Sequence, residues 1–187
     1  MNPLVEAKAW ADRDTVKVAR DLLGHWLVAR AADGTLRRAR ITETEAYDGP
    51  EDRACHASKG RTARTEVMFG PGGRWYVYLC YGIHEMLNLV TGPEDFPAAV
   101  LIRGVEGVTG PGRVTKTFGI GRHLNGVSAT TREGGLWIEQ RDAGEVVLPH
   151  EILAGPRVGV DYAGEEWAAK PWRFRWMTHW TPPGGRK

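Results

Sequence analysis

The residue pattern predicts an α+β fold, a domain built around a mostly antiparallel sheet. Short stretches rich in β-branched and aromatic residues recur along the chain, turn residues join them as hairpins, and only two stretches carry helical signals. With 187 residues and 20.7 kDa, the chain fits one domain, taken as 1–187, on a prior of about 150 residues per domain. Residues 14–24 are expected to form a helix. Asp14 can cap it, Val18 and Leu22 (like Ala19 and Leu23) fall four residues apart, and Gly24 can terminate it. Residues 25–31 and 36–47 read as two strands turned by Asp33 and Gly34. After the Gly- and Pro-rich stretch 70–73, residues 75–81 are dense in β-formers, and Gly82 turns the chain into 86–90 as a second hairpin. Residues 98–105 read as a buried strand and 111–118 as a short helix with Pro111 at its first position. Further strands are expected at 136–139, 157–160 and 172–176. No internal repeat or low-complexity tract is present, and the tail 181–187 is expected to be mobile.

Composition narrows the class. Hydrophobic residues make up 42% and charged residues 26%, close to the globular average, which excludes disordered, collagen-like and coiled-coil chains. The longest nearly apolar run, the nine residues from Trp75 to Ile83, falls short of the ~20 that a membrane-spanning helix needs. The first twenty residues include Glu6, Asp12 and Asp14 and lack an apolar secretory segment, so a cytoplasmic location is expected. Cys55 and Cys80 are too few for a disulfide scaffold and read as free thiols. The net charge is only +2, but it is unevenly spread: five acids and no base in 43–52, then five bases against Glu66 in 53–74. An acidic spot beside basic stretches suits carboxylate chemistry on a polyanion, although solvated charge is the commoner cause of such runs.

Several constellations fail. His84 and Glu85 open like a zinc-protease motif, but position 88 is Asn, so the second histidine is missing. Cys55, His56, Cys80 and His84 match no common zinc spacing, and no metal or cofactor is expected. Glu43 and Glu45 are separated by one residue on a strand, so their side chains share a face with Cα atoms ~6.5 to 7 Å apart. Such a pair could act on a glycosidic bond, and spacing alone favours an exposed polar strand face. Tyr47 follows on the same face, with Gly49, Pro50 and then His56. A carboxylate beside an aromatic platform is what a site needs to hold a flat base and attack at its sugar. Tyr81, next to Gly82 at the expected hairpin tip, is hard to bury and suits a wedge for a base stack. Tyr76 reads as core. Arg103 inside an apolar strand calls for a buried acid or a bound anion.

Together the segments ITETEAYDGPEDRACH (41–56), VMFGPGGRWYVYLCYGIHEMLN (67–88), VLIRGVEG (100–107) and RVGVDYAGEEWAAKPWRF (157–174) resemble the alkyladenine (3-methyladenine) DNA glycosylase family, the type not built on helix-hairpin-helix. The resemblance implies a curved sheet, a protruding hairpin that enters the DNA minor groove, and excision of alkylated or deaminated purines from damaged duplex DNA. Glu45 is similar to the family's water-activating base, and Arg103 and the Val158 carbonyl to its water-holding partners. Tyr47, His56 and Tyr78 match the base sandwich, Asn88 the residue that discourages guanine, and Tyr81 the gap-filling ring. Ile83 stands at the second wedge position, where vertebrate members carry methionine. Arg103 is expected to lower the Glu45 pKa. With no lysine recognised at the site, a monofunctional enzyme without lyase activity is expected, monomeric and nucleoid-associated. Two alternatives stay open: a carbohydrate glycosidase using Glu43 and Glu45, and a nucleic-acid-binding module without chemistry.

Overall fold

The structure, a computed structural model, describes residues 1–11 and 14–183. A one-turn helix α1 (Lys8–Ala11) precedes α2 (Thr15–Asp21), whose first turn is held by Asp14 Oδ1 accepting from the Val16 and Lys17 amides at 2.9 and 3.2 Å. β1 (Trp26–Arg30) and the long β2 (Leu36–Asp48) follow as the expected hairpin. β3 (Trp75–Cys80) and β4 (His84–Thr91) form the second hairpin, next to β5 (Ala98–Val105). A two-residue β6 (Val108–Thr109) leads into α3 (Pro111–Phe118). β7 (Leu136–Glu139), β8 (Ile152–Gly155), α4 (Glu165–Ala169) and β9 (Arg173–Trp176) complete the chain.

Every strand pairing is antiparallel, and the main order is β3-β4-β5-β2-β1-β7, with β9 joining β2 and β8. β2 unites the sheet because it changes partners along its length. Its first half pairs with β1, whereas from Ile41 onward it pairs with β5, and Glu43–Glu45 also pair with β9. Two register shifts fall at this change, between Ile41 and Glu43 and between Glu43 and Thr44. Such irregularities bend a strand and re-aim side chains. Here Thr44 faces Ile102 and Glu43 faces Gly104, so Arg103 has no residue opposite it on β2.

Alternation separates the two faces of this sheet. On one face Ala46, Val77, Leu87, Leu89, Val100 and Ile102 join the main core, and Thr44 Oγ1 ties α2 down by donating to the Ala19 carbonyl at 2.7 Å. The other face carries Glu45, Tyr47, Tyr76, Tyr78, Asn88 and Leu101. α3 braces the base of the β3–β4 hairpin: a Cβ on Gly112 would lie 2.9 Å from the His84 ring, so only glycine permits this approach.

One expected element needs correction. Residues 157–160 are not a strand: Arg157 is anchored inward by its guanidinium, and Gly159 at φ 74° bends the chain. The strand in this region is β8, just upstream. In the tail, the Thr181 carbonyl accepts from Thr109 Oγ1, and 184–187 lie outside the described residues.

Candidate active site

The second face of the sheet floors a cavity of about 760 Å³, walled on its other sides by the 53–65 loop and the 158–162 segment. Period two explains which side chains meet there. Tyr76 and Tyr78 on β3 lie across from Asn88 and Met86 on β4, Asn88 lies across from Leu101, and Tyr47 lies across from Ala99. All of these line the cavity.

Glu45 sits one layer behind this wall. Leu101 is its partner on β5, and its side chain has no solvent exposure. Its Oε1 accepts the Val158 amide at 2.8 Å, while its Oε2 accepts the Tyr47 hydroxyl at 3.0 Å and an Arg103 Nη1 at 3.4 Å. The three donors themselves line the cavity, so the carboxylate meets it through them. Burial raises the Glu45 pKa above its ordinary value. Arg103, the Val158 amide and Tyr47 pull the other way without reversing the shift, so the expectation that Arg103 would set a lowered pKa is corrected. Burial first, then the Glu45 charge, drives the Tyr47 pKa far above 10, so its hydroxyl stays a donor. Val158 reaches Glu45 through its amide, whereas the family resemblance assigns its carbonyl to the water.

Glu43 is also buried rather than exposed, which overturns the expectation of a polar strand face. It is held by Arg173 Nε at 2.6 Å and Trp180 Nε1 at 3.1 Å, with Arg103 Nε at 3.5 Å. Like Glu45 it lies behind the cavity wall, but of its three partners only Arg103 lines the cavity, so the two acids do not form a substrate-facing pair. Arg103 finds the buried acids it was expected to need, and is shared between both.

The aromatic pocket assembles as the sequence suggests, with one addition. His56 packs edge-on to Tyr78 with centroids 4.4 Å apart, and its Nδ1 lies 3.2 Å from the Tyr76 hydroxyl. Which of the two atoms supplies the proton in that contact depends on the imidazole tautomer. Burial, with Arg64 and Lys59 nearby, lowers the His56 pKa to about 4, leaving the ring neutral at pH 7. Asn88 Nδ2 is spent on the Tyr76 and Met86 carbonyls at 3.1 and 3.3 Å, which fixes the amide at the cavity wall.

At the mouth, Tyr81 and Gly82 form a turn with φ of 49° and 71°. A tyrosine in the left-handed region costs about 1–2 kcal/mol, yet its ring is 93% exposed, and Ile83 beside it is 74% exposed. The fold therefore holds a strained, solvated apolar pair at a hairpin tip.

Sequence reasoning missed four contributors. Tyr76 is buried, as its core reading expects, and also lines the cavity; its i, i+2 spacing from Tyr78 was the available signal for the second role. Arg64 and Tyr162 come from loops and carry no local pattern. Arg157 forms a fully buried pair with Asp52, with Nη–Oδ distances of 2.5 and 2.9 Å, and its guanidinium lies 4.8 Å from the Tyr47 ring. The site also includes a lysine, contrary to expectation: Lys59, exposed in the cavity wall. Both cysteines are free, and burial raises the Cys55 pKa to about 12, so that thiol is inert.

Residues 9–179 match the profile of the methylpurine-DNA glycosylase family. Three similar relatives are provisionally named 3-methyladenine DNA glycosylase. A protein of Anaeromyxobacter dehalogenans strain 2CP-C is 50% identical over 177 residues, covering 89% of this chain and 81% of the relative. One from Methanocella arvoryzae is 46% identical, covering 87% and 88%. One from A. dehalogenans strain 2CP-1 is 47% identical, covering 95% and 86%. A match over nearly the whole described sheet, with relatives near half identity, fixes the affiliation: this chain belongs to the methylpurine-DNA glycosylase family.

Proposed function

We infer that this DNA glycosylase of base excision repair acts on duplex DNA containing an alkylated or deaminated purine, which it rotates out of the stack into the aromatic cavity. Tyr47 holds one side of the base, with Tyr78 and His56 on the other, and Asn88 narrows the pocket at the purine edge. Tyr81 and Ile83 occupy the gap in the duplex; an apolar wedge offsets part of the few kcal/mol that extrusion costs. Glu45 takes a proton from a water whose oxygen attacks C1′. The N-glycosidic bond breaks, its electron pair leaves with the purine, and an abasic sugar remains. The sugar passes through an oxocarbenium-like state, which an adjacent carboxylate stabilises. Arg103 and Val158 orient that carboxylate. A water gains access when the Tyr47 hydroxyl or the Val158 amide releases one oxygen. Water, not an amine, is the nucleophile, and the enzyme is monofunctional.

The observation that carries this reading is the sealed carboxylate whose three donors all belong to the wall of a purine-sized aromatic cavity. One chain supplies the whole cavity, which supports a monomer of one domain (1–187). A DNA substrate supports a nucleoid-associated location in the cytoplasm. Among the described residues no helix is long and apolar enough to cross a membrane. The test is single-turnover abasic-site formation on duplexes carrying one hypoxanthine or one 7-methylguanine. Glu45→Gln is expected to lose 10²-fold or more in rate, on the scale of a positioned general base, while still binding the lesion. Retained turnover would remove Glu45 from the reaction.

A further inference from the structure

The aromatic cavity has a one-sided charge pattern. No carboxylate lines it among the described residues, whereas Arg53, Lys59, Arg64 and Arg103 do. Arg103 is neutralised by Glu43 and Glu45. Arg64 differs: it has no carboxylate partner among the described residues. Its guanidinium lies 5.0 Å from the centre of the Tyr78 ring. This contact places an uncompensated, solvent-exposed cation against a ring that receives the base. Neutral His56 does nothing to offset it.

We propose that Arg64 is a specificity-determining residue that biases excision toward uncharged lesion bases, such as hypoxanthine and ethenoadenine, over purines made cationic by N3 or N7 alkylation. The inference rests on the glycosylase reading and adds a substrate class to it. Two physical effects act in the same direction. A cationic purine beside Tyr78 is repelled by the guanidinium, and the ring's negative face is already engaged by it. A neutral purine gains negative charge as the glycosidic electron pair leaves with it, and the same guanidinium stabilises that charge. A cationic purine departs neutral and gains nothing from it. Alkylated purines need less assistance because their positive charge already weakens the bond to the sugar.

The test compares single-turnover excision, under subsaturating enzyme, on two duplexes differing only in the lesion, 7-methylguanine or hypoxanthine. Arg64→Gln is expected to raise the 7-methylguanine to hypoxanthine rate ratio about tenfold, the size expected of one unit charge at roughly 8 Å in a partly solvated site. Arg64→Lys, which keeps the charge, should hold the ratio near that of the unmodified protein. Equal losses on both duplexes would reduce Arg64 to a general phosphate contact and overturn the proposal, as would an unchanged ratio. An unmodified protein that releases neither base would overturn the glycosylase reading itself, a result distinct from an unmoved ratio.

Discussion

Replacing Asp52 by Asn tests how the cavity is held together. Both members of the Asp52–Arg157 pair are fully buried. The carboxylate also accepts the Asp48 amide at 3.1 Å and the Ala54 amide at 3.0 Å. Arg157 in turn donates to the Ala46 and Trp167 carbonyls at 2.8 and 3.3 Å. Asp52→Asn keeps the shape and removes the charge, leaving the guanidinium stranded in a dry site. Breaking one side of such a pair costs about 3–5 kcal/mol. That is a large share of a typical 5–15 kcal/mol stability and, for a chain of this size, corresponds to a Tm drop of about 6–20 °C. Urea unfolding followed by tryptophan fluorescence measures the loss. Adding Arg157→Met removes the stranded charge and should recover part of it. The damage should also reach the chemistry, because Arg157 backs Tyr47 and the next residue supplies the amide on Glu45. With that amide displaced, the Glu45 pKa rises further and the acid limb of the rate profile moves to higher pH. A loss below about 1 kcal/mol with an unmoved acid limb would refute the reasoning.

Three further outcomes follow from the same geometry. Burial raises the Glu45 pKa, so its ionised form costs stability above its unfolded pKa and the cost fades as pH falls through the folded value; Glu45→Gln should therefore match or exceed the parent Tm at pH 7 in calorimetry, and a drop of several degrees would mark a structural acid. His25 and His56 are both held to about 4, below the ordinary 6.5, so the unfolded chain binds protons that the folded one does not. Stability should then decline as pH falls from about 6.5 towards 4, and His25→Gln should flatten the dependence of the urea midpoint on pH. Tyr81→Gly removes both the ring and the left-handed strain, so it should raise Tm slightly while lowering lesion capture; unchanged affinity and rate in a gel-shift and excision assay would eliminate the wedge.

Much of this organisation is legible in the residues because period two is strict. Tyr47 and Glu45 share a face with no further information needed, and the Asp33-Gly34 and Tyr81-Gly82 turns announce their hairpins. What stays hidden depends on contacts distant in sequence. The 157–160 segment has strand-like composition, but a guanidinium bonded to Asp52 over 105 positions overrides that preference. The sign of the Glu45 shift likewise follows from burial depth, which spacing does not encode; a neighbouring arginine alone suggests the opposite. Arg64 reaches Tyr78 from an irregular loop, where no periodicity exists to read.

β9 has a consequence for how the protein is made. The strand bearing Glu43 and Glu45 leaves the ribosome early, but the edge beside those two acids is closed only by Arg173–Trp176, with Trp180 capping Glu43. Until Arg173–Trp180 are translated and released from the exit tunnel, two carboxylates lack neighbours that let them lie in the interior. A nascent polypeptide therefore cannot excise bases before β9 has paired with β2.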